Sequence, residues 1–102
     1  MAVWFTRTGE VAQGKVEEGL RWALKVAEHV NKTSREIHVE VLNNISGRLD
    51  RIHWIMRCES LASFEEVISK IDADDKYQAF VREANDKGLF TKIVDELYRV
   101  IA

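Results

Sequence analysis

Glu36-Ile37-His38-Val39-Glu40-Val41-Leu42, then Asn43-Asn44-Ile45-Ser46-Gly47, then Arg51-Ile52-His53-Trp54-Ile55-Met56-Arg57-Cys58-Glu59: this stretch decides how the chain folds. Apolar and polar residues alternate on both sides of a Ser46-Gly47 turn, and a period of two is the mark of paired strands. Ile37, Val39 and Val41 point one way while His38, Glu40 and Leu42 point the other; Ile52, Trp54, Met56 and Cys58 are opposed in the same way by Arg51, His53, Ile55 and Arg57. One face is oily and the other is mixed. The oily face belongs beneath the protein's own helices, whereas a face carrying Leu42 and Ile55 among histidines and arginines is neither clean surface nor clean core and expects a partner.

Working outward, Ala2 to Thr8 is rich in aromatic and β-branched residues and ends near Gly9, which predicts a first strand. From Lys15 to Asn31, Val16, Leu20, Ala23, Leu24, Ala27 and Val30 recur at the spacing of one helix face, with Glu17 and Glu18 in the first turn where the helix dipole favours them. Gly19 within that helix reads as a tolerated glycine, with close packing against a neighbour as the alternative. After the hairpin, Phe64, Val67, Ile68 and Ile71 mark a helix begun by Ser60 or by a Ser63/Glu66 capping pair. Asp72 or Asp74 caps a further set, Tyr77, Phe80, Val81 and Ala84, which Lys87-Gly88 stops. Phe90 to Ile101 supplies a fourth strand. The order strand-helix-strand-strand-helix-strand predicts an α+β ferredoxin-like sandwich, a four-stranded antiparallel sheet with helices on one face, over residues 1–102 as one domain.

Fifteen Lys and Arg against seventeen Asp and Glu, dispersed along 102 residues, leave no basic stripe, so nucleic acid is not an expected partner. No stretch reaches the roughly 18 apolar residues of a membrane helix, and none is expected to enter a membrane. Met1-Ala2-Val3-Trp4-Phe5-Thr6-Arg7 has no basic region ahead of an apolar run, so it does not read as a secretory signal, and the cytoplasm is the expected compartment. Cys58 is the only cysteine, which excludes an internal disulfide and a cysteine-based zinc knuckle; it is expected to pack as a small apolar side chain.

Several short motifs then carry a resemblance across nearly the whole length: Gly14-Lys15 followed by Glu18; His53-Trp54 with Glu59-Ser60-Leu61 and Phe64; Asp74-Asp75-Lys76-Tyr77-Gln78; and Asp95-Glu96-Leu97. In their order and spacing the chain resembles the dimeric α/β-barrel superfamily, and within it is similar to small bacterial NIPSNAP-like proteins. The resemblance implies a homodimer in which two sheets meet face to face across a twofold axis, and such a barrel would account for the mixed face. It does not imply one activity, since such relatives include cofactor-free monooxygenases, haem-degrading enzymes, isomerases and proteins with no known reaction.

Residues able to carry chemistry form no assembled catalytic motif. With Ser46-Gly47 as a two-residue loop, His53 would oppose Glu40 and Arg57 would oppose Glu36; a four-residue loop, residues 44–47, would instead set His53 against His38 and Arg51 against Glu40. Only the second register could gather imidazoles at a twofold axis, and two histidines without a carboxylate or cysteine are an incomplete metal set, so no metal is expected. His38, Glu40, Leu42, His53 and Ile55 are the expected dimer face, and His29 reads as a solvated helix residue. Trp4, Trp54, Tyr77 and Phe80, with Trp22, could line a slot between helices and sheet for a small apolar or aromatic ligand, although core packing explains large aromatics more cheaply. Haem-degrading relatives pair a histidine with an asparagine and a tryptophan on particular elements, a set not matched here; Asn43 and Asn44 read as turn formers. Ser46 and Ser60 sit at turn and cap positions without a base, no glycine spacing makes a phosphate loop, and no motif calls for a cofactor. The expectation is a homodimeric module that binds a small molecule, with a cofactor-independent monooxygenase or isomerase acting on a small aromatic or polyketide-like substrate as the alternative.

Overall fold

A computed structural model describes residues 1–102. The elements run β1 (Val3–Val11), α1 (Val16–Thr33), β2 (Val39–Asn43), β3 (Arg51–Cys58), α2 (Leu61–Asp72), α3 (Asp75–Lys87) and β4 (Phe90–Arg99). All four strands pair antiparallel in the order β2-β3-β1-β4, the sheet of a ferredoxin-like α+β fold, with the helices on one face. None of the helices is long and apolar enough to cross a membrane.

β1 continues two residues beyond the expected stop at Gly9, so the glycine lies within the strand rather than ending it. A Cβ on Gly9 would lie 2.7 Å from Cδ1 of Phe90, so the missing side chain makes room for that ring on the helix-facing side of the sheet. On α1 the buried stripe is Gly19, Ala23, Val26, Ala27 and Val30, while Leu24, expected on that face, is 60% exposed. Gly19 is more than tolerated: its Cβ would come within 3.1 Å of Val11 Cγ1, so the glycine lets α1 approach β1 closely.

The cap signals resolve to single residues. Ser60 caps α2 in a reciprocal box with Ser63, each side chain accepting from the other's backbone N–H, so the alternative Ser63/Glu66 start does not form. Asp74 caps α3 by accepting from the Tyr77 N–H, and Gly88 ends it in the left-handed region at φ 59°. Asp74 also meets His29 Nε2 at 2.7 Å, so His29 is a half-buried tie between α1 and α3 rather than the solvated residue expected from sequence.

That tie sets an acid limit. His29, and after it the Tyr77 N–H, hold the Asp74 carboxyl below its ordinary 3.8. A folded-state value lower than the unfolded one adds stability that is complete above the ordinary value and is lost as pH falls through the folded one. Asp74→Asn keeps a cap but cannot titrate. Wild type is expected to lose stability more steeply than Asp74→Asn below about pH 4, read by circular dichroism; superimposable acid limbs would contradict the assignment.

The hairpin follows neither expected register. Leu42 opposes His53, Glu40 opposes Ile55, and the connection is seven residues, 44–50. Arg48 holds it open, bridging Asp50 at 3.2 Å and Glu10 at 3.3 Å, while Val11 N–H donates to the Asp50 carbonyl at 2.7 Å. The pairs expected from either register therefore fail. Glu40 meets Arg57 at 3.6 Å rather than His53, Glu36 meets Lys70 at 3.0 Å rather than Arg57, and His38 lies just before β2, exposed and away from His53.

Two buried clusters fill the space between helices and sheet: Val26, Val30, Ile37, Met56, Val67 and Ile71 in one, and Val11, Ala23, Ile52 and Trp54 in the other. Cys58 packs half-buried against the first, and burial pushes its thiol pKa up, which disfavours the thiolate.

Candidate functional site: a cavity between helices and sheet

Strand parity sorts the candidate residues. On β1, Val3, Phe5, Arg7, Gly9 and Val11 face the helices, opposite Cys58, Met56, Trp54 and Ile52 of β3; Trp4, Thr6, Thr8 and Glu10 face the open side. Arg7 stands in one cross-sheet row between Trp54 and Asp95. Its neighbours along β1 on this face, Phe5 and Gly9, are apolar, so a guanidinium here needs a dedicated partner. Asp95 provides one through two bonds, Nε to Oδ1 at 2.7 Å and Nη2 to Oδ2 at 2.9 Å, and Nη1 donates to the Tyr77 hydroxyl at 3.1 Å. The bonds to Asp95, outweighing burial, hold the guanidinium above its already high ordinary pKa, so Arg7 stays charged.

Over this row lies a cavity of about 450 Å³. Its floor is Phe5, Arg7, Trp54, Met56 and Asp95; Trp22, Val26 and Val30 of α1, Phe64 and Ile68 of α2, and Tyr77 and Val81 of α3 roof it. Apolar side chains dominate the lining, and the polar exceptions on the floor are gathered in the Arg7 row. The helices lie over β2 and β3 rather than β4, so Ile93 and Leu97, on the helix-facing side of β4, remain exposed.

Trp54 and Tyr77 line the cavity. Trp4 does not: it lies on the opposite face, 38% exposed, with the Arg57 guanidinium 4.5 Å from its ring centre. Phe80 also stands away from the cavity. It sits beside His29, with ring centres 5.9 Å apart, and its carbonyl accepts from Trp22 Nε1–H at 2.9 Å. Trp22, Trp54 and Phe90 pack edge to face at 5.5 to 6.1 Å. Arg7 and Asp95 were missed as site residues, although Arg7 carries a signal in the sequence: a charge at an inward position of an otherwise apolar strand face.

His53 does not reach the cavity, because it is on the open face. Asn44 Nδ2 donates to the Ser46 carbonyl at 3.3 Å, which turns Oδ1 toward His53 Nε2 at 2.7 Å. With the Nε2 proton so used, Nδ1 accepts from the Thr8 hydroxyl at 2.9 Å. Asn44 is thus more than a turn former; it joins the hairpin loop to β3 and, through His53, to β1. No group of three or more His, Cys, Asp or Glu is placed to hold a metal ion.

Around His53 the open face carries Leu42, Ile55, Trp4, Val94 and Tyr98, of which all but Ile55 are large apolar groups well exposed to solvent. No layer of the chain covers this side of the sheet.

A sequence profile described as a family of unknown function (DUF6039) matches residues 2–94. No curated protein sequence matches the chain. Solved structures do. A NIPSNAP family protein of Agrobacterium tumefaciens superimposes with TM-score 0.78 at 16% identity, over 97% of this chain and 92% of that one. An uncharacterised NIPSNAP domain protein of Burkholderia xenovorans gives 0.79 at 17% identity, over 100% and 96%. A Nitrosomonas europaea protein, provisionally assigned as an antibiotic biosynthesis monooxygenase, gives 0.73 at 9% identity, over 98% and 90%. The fold is therefore NIPSNAP-like, and likeness at these identities speaks for the fold alone.

Proposed function

The chain belongs to the family of unknown function DUF6039, and we propose that it is a cytoplasmic homodimer, one domain per chain, that holds a small apolar or aromatic molecule between its helices and its sheet. The observation that carries this reading is the cavity. Its volume of about 450 Å³ falls within the range of small-molecule sites, and its mostly apolar walls stand over a charged row on the floor. Binding is favoured over catalysis because the carboxylate on the floor, Asp95, is bonded through both oxygens to Arg7 and is poorly placed to take a proton from a ligand.

The open sheet face supports the dimer. Trp4, Leu42, Val94 and Tyr98, from β1, β2 and β4, form an exposed apolar surface on that face, and a second copy applied about a twofold axis would cover it with the same surface. Leu42, His53, Ile55 and Glu40 lie on that face, so the dimer contact proposed for them needs no rearrangement of the sheet.

Titration with the neutral dye N-phenyl-1-naphthylamine tests the reading. Fluorescence should rise to saturation at one dye per chain, and Val81→Trp, which fills the cavity from the α3 wall, should abolish most of the rise while leaving the urea midpoint near wild type. A rise that is unsaturable, or indifferent to Val81→Trp, would contradict binding in the cavity.

A further inference from the structure

Charged side chains beside apolar walls are expected to satisfy one another, and the Arg7 row does so only in part. Of the five N–H groups of Arg7, two go to Asp95 and one to the Tyr77 hydroxyl, which leaves one on Nη1 and one on Nη2. Each Asp95 oxygen accepts once from Arg7 and keeps a second lone pair. The Tyr77 hydroxyl accepts from Arg7 and donates to no group of the chain. Free donors and free acceptors therefore stand side by side.

These groups are open to a ligand before it arrives. Arg7, Tyr77 and Asp95 all line the cavity, and the side chains of Arg7 and Asp95 are 36% and 45% exposed because no helix covers β4. A molecule in the cavity thus meets polar partners on the floor toward β4, and apolar surface from Phe5, Trp22, Val26 and Phe64.

Charge narrows the choice. Arg7, Asp72 and Asp95 are the charged residues of the lining, one positive against two negative, and Asp95 already matches the Arg7 charge. An anionic head would bring a further negative charge beside Asp95, and a cationic one would face Arg7.

We infer that the ligand is neutral and carries, at one end of a flat apolar body, a group that both donates and accepts, a hydroxyl or a primary amide, and that this group donates to Asp95 while accepting from Arg7. This rests on the reading of the cavity as the ligand site and adds the chemistry of its occupant and the residues that select it. Asp95 accepts a hydrogen bond without taking the proton, so the role of the row remains binding.

The probes are 2-naphthol, 2-methoxynaphthalene and 2-naphthoate, titrated at pH 7 into the ¹⁵N-labelled full chain. They share one apolar body: naphthol donates and accepts, its methyl ether only accepts, and naphthoate is an anion. Affinities are read from the resonances of the cavity-lining residues, with Arg7 Nε–H reporting on the row itself. Naphthol is expected to bind at least about fivefold tighter than the ether and about tenfold tighter than naphthoate. Asp95→Asn keeps the shape and removes the charge. In that variant the preference for naphthol over the ether should fall by at least about threefold, while naphthoate gains at least about fivefold, opposite changes that a merely structural role would not produce. Equal affinities for naphthol and its ether, or naphthoate bound as tightly as naphthol, would overturn the assignment of the head group and leave the cavity as a ligand site. An Asp95→Asn chain that keeps the wild-type preferences would overturn it too; if that variant folds poorly, the wild-type order alone decides. If none of the three perturbs a cavity-lining residue up to its solubility limit, both the head-group assignment and the cavity reading fail.

Discussion

Trp54→Ala is expected to destabilise the chain by about 3 to 5 kcal/mol, read as a lowered urea midpoint. Trp54 belongs to a buried cluster with Val11, Ala23 and Ile52 and packs edge to face against Trp22 and Phe90. Truncation would join the space it leaves to a cavity of about 450 Å³, so the surroundings have little means of collapsing to recover the lost contacts. Trp4→Ala is the control. On the open face its main contact is the Arg57 guanidinium, and in the separated chain its loss should cost no more than about 1 kcal/mol. Equal losses at the two positions would contradict the division of the sheet into a helix-covered face and an open one.

Gly9→Ala is expected to cost about 1 to 3 kcal/mol, although alanine is the smallest side chain that could be added. The new methyl would stand 2.7 Å from Phe90 Cδ1 and 2.9 Å from Cε1, and the ring has no easy retreat because Trp22 and Trp54 pack against it at 5.5 and 5.8 Å. Phe90→Ala in the same chain removes the obstacle. The double-mutant cycle should therefore show that Gly9→Ala is nearly neutral in the Phe90→Ala background, a coupling of about 1 kcal/mol or more. Independent, additive effects would mean that the glycine is needed for some other reason than the ring.

The element order was legible because each segment keeps its period, and the caps were legible because serine, aspartate and glycine stand at the positions where orphan backbone groups need them. Hairpin register was not. Ser46-Gly47 has the look of a tight turn, but Arg48 with Asp50 and Glu10, and the Val11 bond to Asp50, hold a seven-residue loop whose cost no local pattern displays. The parity of β1 was available and decides Trp4: a residue one position from Val3 and Phe5 must face the other way. The Arg7, Tyr77 and Asp95 cluster lay beyond a local reading, since it joins three elements 70 and 18 positions apart. A charge on an inward strand position was its one trace.

On the face opposite the cavity, a second copy of the chain is expected to cover the open sheet. Sedimentation equilibrium of the wild-type chain at micromolar concentration tests it most directly. The expected result is twice the 11.8 kDa chain mass, with Leu42, Ile55 and Trp4 withdrawn from water. A mass of 11.8 kDa across that range, with the open face still exposed, would contradict it.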